Sequence, residues 1–174
     1  MPPISVCIIG KNEEQHIEHC LTPLAPFPFE IVYVDTGSTD RTKELAGKHG
    51  ARIYDFKWID DFSAARNFAL EKASHEYVLF IDCDEYLTSL DLETLLDGVE
   101  AHPQGVGLLL RNNYYEANGT RTNYPDRVER LFSKKRFHYK GIIHEQVVTR
   151  GTDSPLYESY EIPLTVDHAG YSGG

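Results

Sequence analysis

The sequence is poor in cysteine. Three residues, Cys7, Cys20 and Cys83, stand isolated in 174, with no CxxC spacing between them. That excludes a disulfide-stapled scaffold and reads as a reduced, cytosolic chain. Long apolar runs are also lacking: none is long enough to cross a bilayer, and no signal-peptide pattern precedes Pro2 and Pro3. Basic residues are scarce, 17 Lys and Arg against 27 Asp and Glu, for a formal net charge of −10. A general nucleic-acid binder needs a basic surface for phosphate contacts, and docking on anionic lipid needs a polybasic face, so both classes are disfavoured. A closing element after Tyr171-Ser-Gly-Gly is missing too. The expectation is a catalytic domain excised from a longer protein, with any membrane anchor or partner module beyond it.

What is present is regular. With 41% apolar and 25% charged residues, the composition is that of an ordinary globular protein, and the length suits one domain with a genuine core. Residues 5–9, 30–34, 52–54 and 77–81 are short apolar runs that predict strands. Helical stretches separate them. Asn12 with Gln15 predicts a capping box for a helix carrying Ile17, Cys20 and Leu21 and ending near Pro23. Residues 41–49 read as a helix closed by Gly50, and Ser63 predicts the cap of a helix through about Lys72. Thr88 and Asp91 predict a second capping box, before a helix that buries Leu92, Leu95, Leu96 and Val99. Four alternations of strand and helix are the signature of an α/β fold with a mostly parallel sheet flanked by helices. After Pro103 come short strands at 106–110, 128–132, 137–139, 146–149 and 162–166, with an Asn118-Gly119 hairpin between 114–116 and 120–122. Residues 1–174 are therefore expected as a single domain, an alternating half over 1–102 completed by an antiparallel-rich part over 103–174.

In an open parallel sheet, ligands bind beyond the carboxyl ends of the strands. Every polar cluster of the first half falls there: Lys11-Asn-Glu-Glu14, Asp35-Thr-Gly-Ser-Thr-Asp40 and Asp82-Cys-Asp84. Asp35 and Asp40 read either as acceptors for a ribose or base, or as caps of the turn and helix that follow. In an extended stretch Asp82 and Asp84 would share a face, with Cys83 on the other. Two acids so placed repel unless solvent or a cation intervenes, and a hard divalent ion, magnesium or manganese, is the natural partner. The plainer alternative is a solvated turn at a strand end.

Taken in order, residues 4–14, residues 32–42, the segment from Trp58 to Asn67 that contains Asp61-Phe-Ser-Ala-Ala-Arg-Asn67, and residues 78–85 resemble the consecutive motifs of family-2 glycosyltransferases. The likeness covers nearly the whole chain. It implies a GT-A fold, a nucleotide-diphospho-sugar donor that is a UDP-sugar on family grounds, a divalent metal (Mn2+ or Mg2+), and inversion at the anomeric carbon. Residues 1–102 then become the nucleotide-sugar-binding half and 103–174 the acceptor and catalytic half. The resemblance puts Asp35 on the nucleoside, with backbone around Ile9 and Gly10 lining the base pocket and Asn12 and Glu14 near it. Arg66 would reach the ribose or diphosphate, Asp82 would sit by the ribose or a metal-bound water, and Asp84 would bind the metal.

In the second half, Gly141-Ile-Ile-His-Glu145 resembles the Gly-x-x-His-Glu segment of one family branch and departs from relatives that carry Glu-Asp followed by Gln-x-x-Arg-Trp. An inverting transfer needs a base for the acceptor hydroxyl, which makes Glu145 the candidate, with His144 on the diphosphate or metal. Asp167-His-Ala-Gly-Tyr171 resembles the His-x-Gly-Tyr close of the catalytic domain, and His168 would complete the metal shell or bind the diphosphate. Arg127 and Arg130 are further diphosphate candidates. A sugar-nucleotide pyrophosphorylase would want a Gly-rich loop that Gly10-Lys-Asn-Glu does not supply. A binding-only domain would be expected to lack carboxylates that are present here. The acceptor, whether glycan, lipid-linked saccharide or smaller molecule, stays open, with cell-envelope glycan synthesis one setting for it.

Overall fold

The computed structural model describes residues 2–141 and 145–169. The chain runs β1 (Ile4–Gly10), α1 (Ile17–Leu21), β2 (Glu30–Asp35), α2 (Thr42–Lys48), β3 (Arg52–Asp55), α3 (Phe62–Lys72), β4 (Tyr77–Phe80), β5 (Glu85–Leu90) and α4 (Leu92–Ala101). It continues through β6 (Val106–Ala117), β7 (Thr120–Asn123), β8 (Asp126–Ser133), β9 (Phe137–Lys140), β10 (Gln146–Thr149) and β11 (Ser159–His168). One sheet has the order β3-β2-β1-β4-β8-β6-β11-β5, with β7 paired to β6, and β9 and β10 form a separate pair. The first four strands are parallel, whereas β8 runs antiparallel to both β4 and β6. This is the mostly parallel, helix-flanked α/β arrangement with an antiparallel C-terminal part that the sequence predicts.

Two apolar layers hold it. Alternation along β1 sends Ile4, Val6 and Ile8 to a core shared with α1, α2 and α4, while Cys7 faces a second core with Ala69, Leu70, Phe80, Phe132 and Tyr139. Both sides of β1 are therefore covered, as a central parallel strand requires. The Asn118-Gly119 turn takes positive φ at both residues, 53° and 76°, the geometry that joins β6 to β7 tightly.

Local signals misplace three caps. Asn12 does not start a helix: its φ is 54°, its side chain accepts from Thr39 N–H at 2.8 Å, and α1 begins only at Ile17 after His16. Asp61, not Ser63, caps α3, accepting from Ala64 N–H, and Ser63 instead donates its hydroxyl to the Gly141 carbonyl. Asp91 does cap α4, through Thr94 N–H, but Thr88 lies inside β5, a strand the sequence did not announce. In each case a long-range partner or strand pairing takes the residue that the local pattern would have used.

Candidate functional site

The carboxyl ends of β1 and β2 lie side by side, with Gly10 in register with Asp35. The Asp35 carboxylate is 1% exposed and accepts from Tyr33 O–H, Gly37 N–H, Ser38 N–H and the Ser38 hydroxyl. Burial would raise its pKa, but these hydrogen bonds hold it below the usual carboxylate range. Asp35 thus organises the turn after β2. Asn12 and Glu14 stitch that turn to the one after β1: Asn12 N–H donates to Ser38 Oγ and Glu14 accepts from Arg41 N–H. Just before α2, whose N-cap position is Arg41, Asp40 accepts from the Thr42 N–H and hydroxyl.

Ile9 and Gly10 line a small, mostly apolar cavity of about 180 Å³ with Lys11, Thr36, Trp58 and Phe62. The Trp58 and Phe62 rings meet edge-on at 4.8 Å. Trp58 and Thr36 also line a second hollow, together with Asp35, Gly37, Ser38 and Lys43. In the sequence Trp58 stands only as part of a segment with no role of its own, because Lys57 before it and Asp60-Asp61 after Ile59 break the apolar run that would flag a binding wall.

The Asp82-Cys83-Asp84 stretch is a turn closed by Glu85 N–H on the Asp82 carbonyl, not the extended segment expected of it. Its two acids accordingly find different partners. Asp82 meets Arg66 at 3.4 Å and Arg130 at 3.5 Å. Burial would raise the Asp82 carboxyl, but Arg130 and then Arg66 hold it well below the usual range, at about 2. Arg66 lies on the Phe80 and Tyr139 rings and also donates to Glu145 at 3.3 Å. Arg66, Asp82, Glu145, Arg111 and Tyr139 share the wall of a polar cavity of about 370 Å³.

Beneath this cavity Glu85, fully buried, accepts from Asp82 N–H and takes both Arg130 and Arg111. Arg130, a wall residue of the same cavity, pairs with Glu85, and Arg127 pairs with Glu161 at 3.5 Å. Arg111 and Asn113 escaped the sequence analysis. Their signal was a run of three polar residues, Arg111-Asn112-Asn113, in an otherwise apolar strand, legible only once β6 is known to pass the site.

Asp84 meets His168 across the end of β11, Nε2 to Oδ2 at 3.1 Å. The bond to Asp84 raises the imidazole above its ordinary pKa, against burial, which lowers it. Burial raises the nearby Glu13 carboxyl; His16 opposes this, and Asp84 and Asp82 add to it. A carboxylate and an imidazole converging on one point suit a divalent cation that takes its other ligands from phosphate and water. No cluster of three or more metal-binding side chains occurs among the described residues. His144 lies outside the described residues. No helix among them is long and apolar enough to cross a membrane.

The sequence profile described as Glycosyl transferase family 2 matches residues 5–152. A TPR repeat-containing protein of Synechococcus elongatus is 38% identical over 104 residues, 58% of this chain and 26% of its own length. The SPbeta prophage-derived glycosyltransferase SunS of Bacillus subtilis is 31% identical over 175 residues, 98% of this chain and 40% of its own. Among solved structures, S. aureus TarS 1-349 in complex with UDP-GlcNAc is similar with a TM-score of 0.52 at 31% identity, covering 68% of this chain and 36% of that one. The chain thus spans 26% and 40% of the two curated relatives.

Proposed function

The chain belongs to glycosyl transferase family 2, and on that premise we propose that it moves a sugar from a UDP-sugar to a hydroxyl-bearing acceptor with inversion at the anomeric carbon. The observation that carries this reading is the convergence of Arg66, Asp82 and Glu145 on one polar cavity beside the Asp84–His168 pair. TarS, a similar protein, has been solved with UDP-GlcNAc, which favours uracil as the donor base.

In this reading the base enters between the Ile9–Gly10 backbone and Trp58, where an apolar wall suits a planar ring. Asp35, Asn12 and Glu14 keep the two loops that frame the nucleoside in place, and Asp35 can trade a Ser38 bond for a ribose or base donor. Arg66 offers a fork suited to diphosphate oxygens, with Asp82 fixing its orientation. Asp84 and His168 would hold manganese or magnesium, which when bound offsets charge on the departing diphosphate. His144 is a further contact for the diphosphate or metal. Glu145 takes the proton of the acceptor hydroxyl as that oxygen attacks the anomeric carbon and the bond to the diphosphate oxygen breaks. Residues 1–102 serve the donor and 103–174 the acceptor within one domain. Transfer to a cell-envelope glycan or lipid-linked acceptor at the cytoplasmic side suits a UDP-sugar enzyme.

Trp58 is the single tryptophan of the chain, so its fluorescence reports the proposed base pocket directly. Titration with UDP, GDP and TDP should change the emission with UDP at the lowest concentration. Equal responses to all three, or none, would remove the uracil-specific site.

A further inference from the structure

We propose that Asn67 and Ser63 are positioning residues for Glu145: from one face of α3 they fix the β9–β10 pair, and with it the candidate base, beside Arg66. The inference rests on the reading of Glu145 as the base and adds what holds that base in place.

Strands β9 and β10 pair with each other, Gln146 opposite Lys140, and form a sheet apart from the main one. Among the described residues, no strand ladder therefore ties them to the strands that end at the acid turn. Helix α3 supplies the tie instead. The Asn67 amide nitrogen donates to the Tyr139 carbonyl at 2.8 Å, and Tyr139 N–H donates to the Asn67 amide oxygen at 2.8 Å. One side chain thus satisfies both main-chain groups of Tyr139, as a neighbouring strand would. One helical turn earlier, the Ser63 hydroxyl donates to the Gly141 carbonyl.

The two spacings match. Four residues of helix rise about 6 Å, and two residues of strand advance about 6.6 Å. Ser63 and Asn67 can therefore address Gly141 and Tyr139 at once. Phe137, Tyr139 and Val147 seat the pair in the second core, but apolar packing is non-directional. The side-chain bonds are what set where along α3 the pair stops. Arg66 completes the same stretch of helix: it lies on the Tyr139 ring and donates to Glu145 at 3.3 Å. Glu145 itself directly precedes Gln146, the first residue of β10, so a shift of the pair moves the base. Ser63 and Asn67 are not among the residues that line the polar cavity, and they act through the main chain that carries Glu145.

The test is a double-mutant cycle on UDP release, with Mn2+ present, water as acceptor, and whichever of UDP-glucose and UDP-GlcNAc is turned over faster. Asn67→Ala should lower kcat roughly 10–100-fold, with the donor KM within about twofold of wild type. In the Glu145→Gln background the same change should cost less than about twofold, because no base is left to misplace. Ser63→Ala removes a single hydroxyl and should repeat the pattern at smaller size; it serves where Asn67→Ala folds poorly. Hydrogen exchange gives a reading independent of turnover. The amides bonded between β9 and β10 should keep wild-type protection in Asn67→Ala, while the Tyr139 amide loses its own. Protection lost throughout both strands, or equal kcat losses with and without Glu145, would make the two residues structural supports only and overturn the inference. Turnover unchanged by Glu145→Gln, in a chain whose Trp58 emission still responds to UDP, would remove the base reading and this inference with it.

Discussion

Arg130 and Glu85 form a two-pronged pair inside the sheet, at 2.6 and 2.9 Å, with the Glu85 side chain wholly excluded from solvent. Burial would lower the Arg130 pKa, but Asp82 and Glu85 hold the guanidinium firmly charged. The pair is the floor on which Asp82 rests, since Glu85 also accepts from Asp82 N–H. Glu85→Ala leaves Arg130 and Arg111 without their buried partner and should cost about 3–5 kcal/mol in urea unfolding. A loss below about 1 kcal/mol would mean that the network relaxes to water instead of collapsing.

Gly10 is where β1 admits the acid turn. A Cβ there would lie 2.7 Å from Cys83 Sγ and 3.0 Å from the Tyr33 hydroxyl, and that hydroxyl donates to Asp35. Gly10→Ala should therefore disturb both clusters at once, costing about 1–3 kcal/mol of stability as an overpacking change. UDP affinity should fall with it, read by Trp58 emission; a variant equal to wild type in both would show that the approach is slack.

The proposed division of labour between Arg66 and Glu145 is separable by kinetics. Glu145→Gln keeps the shape and the Arg66 contact but cannot take a proton, so kcat should drop roughly 10²–10⁴-fold with UDP binding near normal. Arg66→Ala should instead weaken donor binding, by roughly 10–100-fold if one charge-assisted bond of about 1.5–3 kcal/mol is lost. Transfer assays with separate donor titrations distinguish the two, and a Glu145→Gln enzyme with undiminished kcat would move the base elsewhere.

Acid stability should report on Glu30, remote from the site. Burial would raise its carboxyl, but Ser5, Ser74 and Arg52 bring it from 4.5 to about 2 in the folded chain. A depressed folded-state pKa stabilises above the unfolded value and is lost as pH falls toward the folded one. The contribution is thus present above about 4.5 and disappears between there and about 2. Glu30→Gln should flatten the stability-versus-pH slope in that window; an unchanged slope would assign it to other acids.

Much of this was legible before any coordinates. The runs ending at Gly10, Asp35 and Ile81 are uninterrupted and apolar, so the strands and the acids at their ends followed from the pattern. Asp82 and Asp84 were found for the right place and the wrong shape, because a hydrogen bond from Glu85 closes the turn and separates them. Asn12, Ser63 and Thr88 carried local cap signals that partners 27, 78 and 77 residues away override. Asn113 was invisible for the same reason: its meaning comes from His168, 55 positions later, and from Asp126. Periodicity reads the layers, but only strand order brings β5, β6 and β11 together at the site.

The central claim is a cation-assisted UDP-sugar site built around Asp84. Calorimetric titration of UDP with and without Mn2+, on the wild type and on Asp84→Ala, tests it most directly. The account predicts that Mn2+ tightens UDP binding in the wild type and that the variant loses this tightening while retaining weak, metal-independent binding. UDP binding that is indifferent to Mn2+ in the wild type, or equally enhanced in Asp84→Ala, would contradict it.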